Sequence, residues 1–277
     1  MSRIESLNIL LTDTGKDLLA EKYGPVIENV QKSAISQILK NTNLSGNPVS
    51  GTVEAKRFSF ATPQPYRTAR TAGEGVAVQA QPVTVPLDKD LEIVEELEDK
   101  DTTLYGVDNL VGRRVKEQGD AMIRKLEAEF FAEAASAGAA FTPTVTDPLE
   151  ILEAGILQIE TTQNKFVHGV PRSMIHVIMA PVEYSKIRHA LNTIVNNANV
   201  NSSIEEFGSI NGVTVYSSID LPSGVKAVYM CKESIAQPVY VKKYDAEKIN
   251  MTNAVALELF FSVGTKAVMP DLIAVRS

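Results

Sequence analysis

FSFATPQPYRTARTAGEGVAVQAQPVTV, residues 58–85, is an unusual segment for an acidic protein. Together with its flanks it predicts two β-strands, at residues 52–60 and 76–87, joined by a basic tip rich in proline and glycine. Strands of this length extend about 30 Å at 3.3 Å per residue. Because a two-stranded hairpin alone is marginally stable in water, the segment needs another surface to pack against.

The composition is that of a globular protein. The chain has 277 residues, of which 44% are hydrophobic, and a mean hydropathy of −0.03. This length allows one large domain or two of modest size. The formal net charge of −7 argues against tight wrapping of nucleic acid, which needs a basic surface.

Cysteine usage and hydropathy point to the cytoplasm. Cys231 is the only cysteine, so neither a disulfide framework nor a cysteine-rich zinc site can form. The N-terminus is too charged for a signal peptide, and no apolar run approaches the roughly 20 residues of a membrane span. We therefore expect a cytoplasmic protein with no membrane partner.

The N-terminal region predicts one amphipathic helix. Apolar residues recur at three- and four-residue steps over residues 26–39, and Gly24-Pro25 is taken as the helix start. A single short amphipathic helix needs a partner surface, which is either its own domain or a neighbouring subunit. An acidic run, residues 88–101, follows the hairpin and is interpreted as a solvated connector rather than a cation site, since its spacing fits no calcium loop.

A very long helix is predicted over residues 107–137, about 45 Å in length at 1.5 Å per residue. From residue 147 the pattern becomes α/β. The segment DPLEILEAGILQIETTQN (147–164) predicts a helix capped by Asp147, SMIHVIMAP (173–181) a buried strand, and residues 181–191 another helix. A polar loop at 192–203 precedes short strands in GVTVYSS (212–218), VKAVYMC (225–231), PVYVKKY (238–244) and the last 24 residues.

Catalytic signatures are missing from the sequence. It contains no phosphate-binding loop and no Gly-x-Ser-x-Gly elbow, and His168, His176 and His189 are too scattered for a helical zinc site. Cys231 falls in a predicted strand, where a small buried hydrophobe is expected rather than a nucleophile. We predict no catalytic residue, no metal ligand and no cofactor, and hence no enzyme.

The order of elements resembles that of the major capsid proteins of tailed bacteriophages, the α+β Hong Kong 97-type fold that encapsulins share. The order is an N-terminal arm, a long hairpin, an acidic connector, a very long helix, an α/β insertion and a return to strands. The resemblance covers essentially the whole chain. It implies an N-terminal arm (1–48), an extended hairpin or E-loop (49–90), a peripheral domain with a spine helix (91–145 and 241–277) and an axial domain (146–240).

The resemblance also implies which residues contact neighbouring subunits. In the E-loop they are Phe58, Phe60, Tyr66, Arg67, Arg70, Val76 and Val78, with Val83 and Val85 as further apolar contacts. In the N-terminal arm they are Val26, Val30, Ile35 and Ile38. The exposed surface of the spine helix contributes Arg113, Arg114, Lys116 and Glu117. The two arginines at the hairpin tip are expected to meet a carboxylate-rich surface of another copy, either the acidic run or the long helix.

The implied function is structural. Copies of the chain would self-assemble through pentamers and hexamers into an icosahedral shell around double-stranded DNA, without sequence-specific binding. The implied partners are other copies, a separate scaffolding protein (unless the chain is already processed), a portal and decoration proteins. The location would be the virion, assembled in the host cytoplasm. Covalent cross-linking is not expected, because the tip lacks a lysine and Lys56 lies back along the strand.

Three alternatives remain open at this stage. An encapsulin-type nanocompartment shell would share the fold but enclose cargo enzymes, with a cargo-peptide groove near the N-terminal helix. A cytosolic α/β enzyme would need convergent polar groups in a pocket. The long hairpin could also pack entirely on its own domain.

Overall fold

The computed structural model describes residues 7–59, 61, 63–68, 78–98, 100, 106–192, 209–249 and 254–277. Within them the α-helices are α1 Asp13–Ser33, α2 Ile35–Leu39, α3 Val107–Ala137, α4 Pro148–Glu160 and α5 Pro181–Asn192. Short 3-10 helices occur at Leu7–Leu11, Pro48–Ser50, Arg172–Met174 and Pro270–Leu272. Every helix among these residues is too short or too polar to cross a bilayer.

The strands of the same residues form four sheets. In chain order they are β1 Leu44–Ser45, β2 Thr52–Phe58, β3 Ala80–Pro86, β4 Lys89–Leu97, β5 Ala139–Ala140, β6 Ile175–Met179, β7 Ser209–Ile210, β8 Val213–Ser217, β9 Ala227–Cys231, β10 Ile235–Ala236, β11 Val239–Lys248, β12 Val255–Val263, β13 Lys266–Ala267 and β14 Ile273–Arg276. The sheet orders are β1-β2-β3, β10-β13, β11-β12-β4 and β5-β14-β9-β6-β8-β7.

The N-terminal helix is longer than predicted. It begins at Asp13, where the Thr12 side chain accepts a hydrogen bond from the Gly15 amide, and it runs through Gly24-Pro25 instead of starting there. Tertiary packing overrides the helix-breaking signal, because one face of α1 is buried against α3 and β11. Gly119 of α3 permits this approach: a Cβ at that position would lie 2.3 Å from a methyl group of Val26.

The long helix α3 matches its predicted bounds and packs on the antiparallel sheet β11-β12-β4. The prediction of a solvated connector at residues 88–101 is wrong over Lys89–Leu97, which is strand β4. Alternation explains the strand: Leu91, Ile93, Glu95 and Leu97 face α3, while Glu92, Val94 and Glu96 face solvent. Because most residues of this segment are charged, the alternation of inward and outward side chains was not recognised in the sequence.

Helices cover both faces of the six-stranded sheet, with α5 packing on the same face as α4 through Ile187 and Leu191. The α4 helix covers one face, and the second half of α3 covers the other with Phe130, Phe131 and Ala134. As predicted, Asp147 caps α4, accepting hydrogen bonds from the amides of Leu149 (2.8 Å) and Glu150 (3.2 Å).

The last strand departs from the expected domain division. The resemblance assigns the whole of 241–277 to the peripheral domain with the spine helix, but only β11 and β12 join the sheet under that helix. Strand β14 instead pairs with β9, with Ile273 opposite Met230. Its small apolar side chains are buried on both faces, which only a central strand of the six-stranded sheet allows.

Strands β2 and β3 pair antiparallel in the hairpin, from Thr52 opposite Pro86 to Phe58 opposite Ala80. Both strands are shorter than predicted, since regular pairing stops at Phe58 and Ala80. Residues 69–77 of the tip lie outside the described residues, as does most of the polar loop predicted at 192–203.

Candidate assembly interface

The base of the hairpin packs on its own subunit. Val53, Ala55 and Val85 are fully buried and contact Ala236 and Val268. The base of the hairpin therefore finds the surface it needs within its own subunit. Val85 is not available to a neighbouring subunit, because its own chain covers it, and the partly buried Val83 packs against the same cluster.

Beyond its base the hairpin exposes apolar side chains. Phe58 is 57% exposed, Tyr66 84% and Val78 73%. The guanidinium of Arg67 lies 5.5 Å from the centre of the Tyr66 ring, which places a cation beside an exposed aromatic ring. The other predicted contacts, Phe60, Arg70 and Val76, lie outside the described residues.

The N-terminal residues divide into core and surface. Val30 is 2% exposed and belongs to the core beneath α3, so its prediction as an intersubunit contact is wrong: its own chain already covers it. Val26 and Ile35 are partly buried against cores of the same subunit. Ile38, 38% exposed, is the most exposed member of the group and stays a predicted contact.

The predicted surface of the spine helix is also divided. Arg113, Lys116 and Glu117 are exposed. Arg114 instead pairs with Glu95 of β4, its Nε lying 3.0 Å from a carboxylate oxygen. The hydrogen bonds to Glu95 raise the pKa of Arg114, and the pair holds α3 on the sheet.

The outer face of the sheet β11-β12-β4 is acidic. Glu92 and Glu96 of β4 are exposed there, beside Glu258 of β12 and Glu247 of β11. Burial raises the pKa of Glu258, and the nearby Glu247 carboxylate raises it further. Such a face favours a cationic partner.

A polar cluster at the hairpin exit was not anticipated from the sequence. Arg57 of β2 forms two hydrogen bonds with Asp271, of 2.7 and 2.5 Å, and its guanidinium lies 4.4 Å from the centre of the Phe166 ring. Asn164 also donates to Asp271. One sequence signal was present: Val53, Ala55 and Arg57 alternate along the inward face of the strand, so Arg57 continues a buried row.

The residues considered for chemistry lie apart. His168 is in a loop, His176 is in β6 stacked on Tyr216, and His189 is in α5. Cys231 is buried in β9 as predicted, and burial raises the pKa of its thiol to about 11, which disfavours the nucleophilic thiolate. Among the described residues, no group of three histidine, cysteine or carboxylate side chains could hold a metal ion.

Comparison with known proteins identifies the family. A family model described as phage capsid protein matches residues 79–256, more than half of the chain. The capsid structure of Cyanophage P-SCSP1u is similar, with a TM-score of 0.62 and 13% identity over 88% of each chain. A structure from Mycobacterium phage Che8 gives a TM-score of 0.58 and 13% identity, covering 84% of this chain and 85% of that one.

A third similar structure is a virus-like particle from Pyrococcus furiosus. Its TM-score is 0.58 and its identity 13%, covering 93% of this chain and 98% of that one. A search of curated protein sequences finds no significant match.

The α+β architecture, with its long helix on an antiparallel sheet and its projecting hairpin, is that of Hong Kong 97-type capsid subunits. The chain belongs to the phage capsid protein family. It is a structural major capsid protein, a virion component whose copies assemble into a shell.

Proposed function

We propose that copies of this subunit assemble through pentamers and hexamers into an icosahedral shell that encloses double-stranded DNA. The observation that carries the proposal is the hairpin beyond Phe58. Phe58, Tyr66 and Val78 are more than half exposed on one projecting element. Apolar side chains concentrated in this way mark an interaction surface, and a neighbouring subunit would cover them.

Charge complementarity supports contact between copies. The basic hairpin tip, with Arg67 and the adjoining Arg70, would pair with the acidic outer sheet face of a neighbour, near Glu92 and Glu96. Each such contact is weak, but a closed symmetric shell holds every subunit through several neighbours at once.

The same proposal assigns a role to each segment of the chain. Residues 1–48 serve as the N-terminal arm and 49–90 as the E-loop segment. Residues 91–145 and 241–272 form the peripheral domain, and 146–240 with the last strand form the axial domain. The role is structural rather than catalytic.

The proposal extends to partners. The subunit would assemble in the host cytoplasm with a scaffolding protein and a portal, and the finished shell would carry decoration proteins. The net charge of −7 fits enclosure of DNA without sequence-specific contacts, because a repulsive wall does not trap the genome.

The experiment is negative-stain electron microscopy of the purified full chain, with light scattering, alone and with a candidate scaffolding protein. Shells, tubes or five- and six-membered rings are expected. A monomer that stays dispersed in both conditions would contradict the proposal.

A nanocompartment shell is the second and minor candidate, because it would share the fold that this chain has in common with the virus-like particle from Pyrococcus furiosus. The contents of particles isolated from producing cells distinguish the two functions. Packaged double-stranded DNA is expected for a capsid, whereas a packaged enzyme would support the nanocompartment.

A further inference from the structure

The inward face of β2 ends in a charged residue. Val53 and Ala55 are buried, and Arg57 follows on the same face with only 11% of its side chain exposed. A buried guanidinium is costly unless it is paired and hydrogen-bonded, so this position depends on its partners.

Those partners come from two other segments. Asp271, in the 3-10 helix Pro270–Leu272, receives both bonds from Arg57. Asn164, in the loop after α4, donates to the same carboxylate. Its own side-chain oxygen accepts from the amides of Phe166 (2.8 Å) and Val167 (2.9 Å), which fixes the loop.

Phe166 completes the cluster. Its ring lies against the Arg57 guanidinium, and the ammonium of Lys165 is 4.8 Å from the ring centre. The bidentate pair constrains Arg57 within the plane of its guanidinium, and the ring constrains it from above. Together these contacts fix the direction in which the hairpin leaves its subunit. The apolar contacts at the hairpin base cannot do so, because hydrophobic burial is not directional.

Arg57 also marks the point where the hairpin leaves its subunit. Its neighbour Phe58 is 57% exposed, and the exposed Tyr66 and Val78 lie further out. The ten or so residues from Arg57 to the tip span about 30 Å if extended, so a tilt of about 10° at Arg57 would move the tip by about 5 Å. A shift of that size would change which part of a neighbouring copy the tip meets.

We propose that Arg57, Asp271, Asn164 and Phe166 form an exit latch that fixes the direction of the hairpin and thereby sets the curvature of the shell. The inference rests on the proposed function, since curvature has meaning only if copies assemble. The four are positioning residues: they act through the hairpin on a contact that other residues make.

The test compares Arg57→Gln with Lys56→Gln, its neighbour on the exposed face of the same strand. Particles of each full-length variant are measured by electron microscopy, and the thermal midpoint of the unassembled subunit is measured alongside. For Arg57→Gln the spread of particle diameters should widen at least about twofold, because the exit direction is no longer held within the 10–20° that a functional geometry requires. Lys56→Gln should leave the diameters unchanged.

A second variant separates direction from stability. Arg57→Lys keeps the charge but loses the bidentate geometry and the planar stacking on Phe166. The latch predicts widened diameters for Arg57→Lys as well. If Arg57 only stabilised the subunit, an Arg57→Lys variant with a thermal midpoint close to that of the wild type would form particles of uniform diameter.

Asn164→Ala removes the hydrogen bond to Asp271 and the two bonds from the loop amides of Phe166 and Val167. Because Asn164 is exposed, this variant keeps the test decisive if Arg57 variants do not fold. It should widen the diameters to a smaller degree. Uniform, wild-type diameters in every variant that folds would overturn the latch. Failure of the wild-type chain to assemble would instead contradict the proposed function.

Discussion

At the scale of single residues, Gly264 lies where the end of β12 passes the base of the hairpin. A Cβ at this position would lie 1.9 Å from the carbonyl oxygen of Pro86 and 3.2 Å from the Cα of Leu87. Both are backbone atoms, which cannot rotate away. Glycine is therefore required here by the close approach of two chain segments.

We predict that Gly264→Ala destabilises the unassembled subunit by about 1–3 kcal/mol, the usual cost of forcing an atom into a packed site. Thermal unfolding of the subunit measures the effect. The matched control is Gly112→Ala in α3, where nothing lies within 4 Å of the added Cβ. Better helix propensity should make that variant more stable by up to about 1 kcal/mol. Equal midpoints for the two variants would contradict the packing argument.

Glu127 is a buried carboxyl in α3. Its Oε1 accepts a hydrogen bond from the Ile35 amide at 2.7 Å, which holds the start of α2 against α3. Burial raises its pKa above the usual value, an effect that outweighs this bond and is reinforced by Asp220. The unfolded chain therefore loses this proton at lower pH than the folded chain. The contribution of Glu127 to stability is present below its unfolded pKa and is lost as the pH rises through its folded pKa.

We predict that Glu127→Gln is more stable than the wild type at pH 8, and that the difference shrinks towards pH 5. Urea unfolding at several pH values measures it. Glu129→Gln is the control of opposite sign: burial opposes ionisation there, but hydrogen bonds from Lys125 and Lys89 lower the pKa of Glu129. The Glu129→Gln variant should be less stable than the wild type near neutral pH, and this difference should disappear in acid. A wild type more stable than Glu127→Gln at pH 8 would count against this account.

At the scale of elements, the hairpin consists of a fixed base and a projecting tip. The base shares a core with Ala236 and Val268, so changes there affect folding. Arg67 at the tip is exposed and has a left-handed backbone (φ 74°), which places it in a sharp turn. Changes at the tip should therefore affect assembly alone.

We predict that Arg67→Glu with Arg70→Glu leaves the thermal midpoint of the subunit within about 1–2 °C, as expected of surface substitutions. Shell formation, followed by light scattering, should be lost because the tip would repel the acidic sheet face. Lys56→Glu adds a negative charge on an exposed position nearer the base and serves as the control. An unfolded double variant, or one that assembles normally, would refute the role of the tip.

At the scale of the whole molecule, net charge opposes assembly. Each copy carries −7 at neutral pH, so copies repel one another while apolar surfaces bring them together. Salt screens repulsion between exposed charges, since the screening length falls from about 30 Å at 0.01 M to about 10 Å at 0.1 M.

We predict that shell yield at a fixed subunit concentration rises between 10 and about 150 mM NaCl, the range over which screening becomes effective. Light scattering at pH 7.5 measures the yield. The same titration near pH 5.5, close to the sequence pI of about 5.2, should show little salt dependence because the repulsion has nearly gone. A yield that falls with salt at pH 7.5 would mean that contacts between opposite charges dominate assembly.

Local patterns were enough to predict several elements. The bounds of α3 follow from a long apolar period, and the start of α4 from an aspartate cap followed by proline. The burial of Cys231 follows from its place in an apolar strand. These features depend on residues close together in the chain, so the sequence displays them directly.

The errors involve partners distant in the chain. Strand β4 was missed because its pairing with β12 lies about 160 residues away, and its carboxylates resemble a solvated run. The extension of α1 through Gly24-Pro25 depends on packing against α3. The division between Val30 in the core and Ile38 at the surface likewise needed the positions of α1 and α2 on their neighbours.

From the sequence alone came the order of elements, the class of fold and the expectation that the hairpin tip meets another copy. The tertiary structure alone showed which part of the hairpin its own subunit already holds. Arg57 meets Asp271 across more than 200 residues of chain, and no local pattern encodes such a contact. Apolar periodicity specifies which face of an element is buried, whereas the surface that buries it is determined only when the whole chain packs.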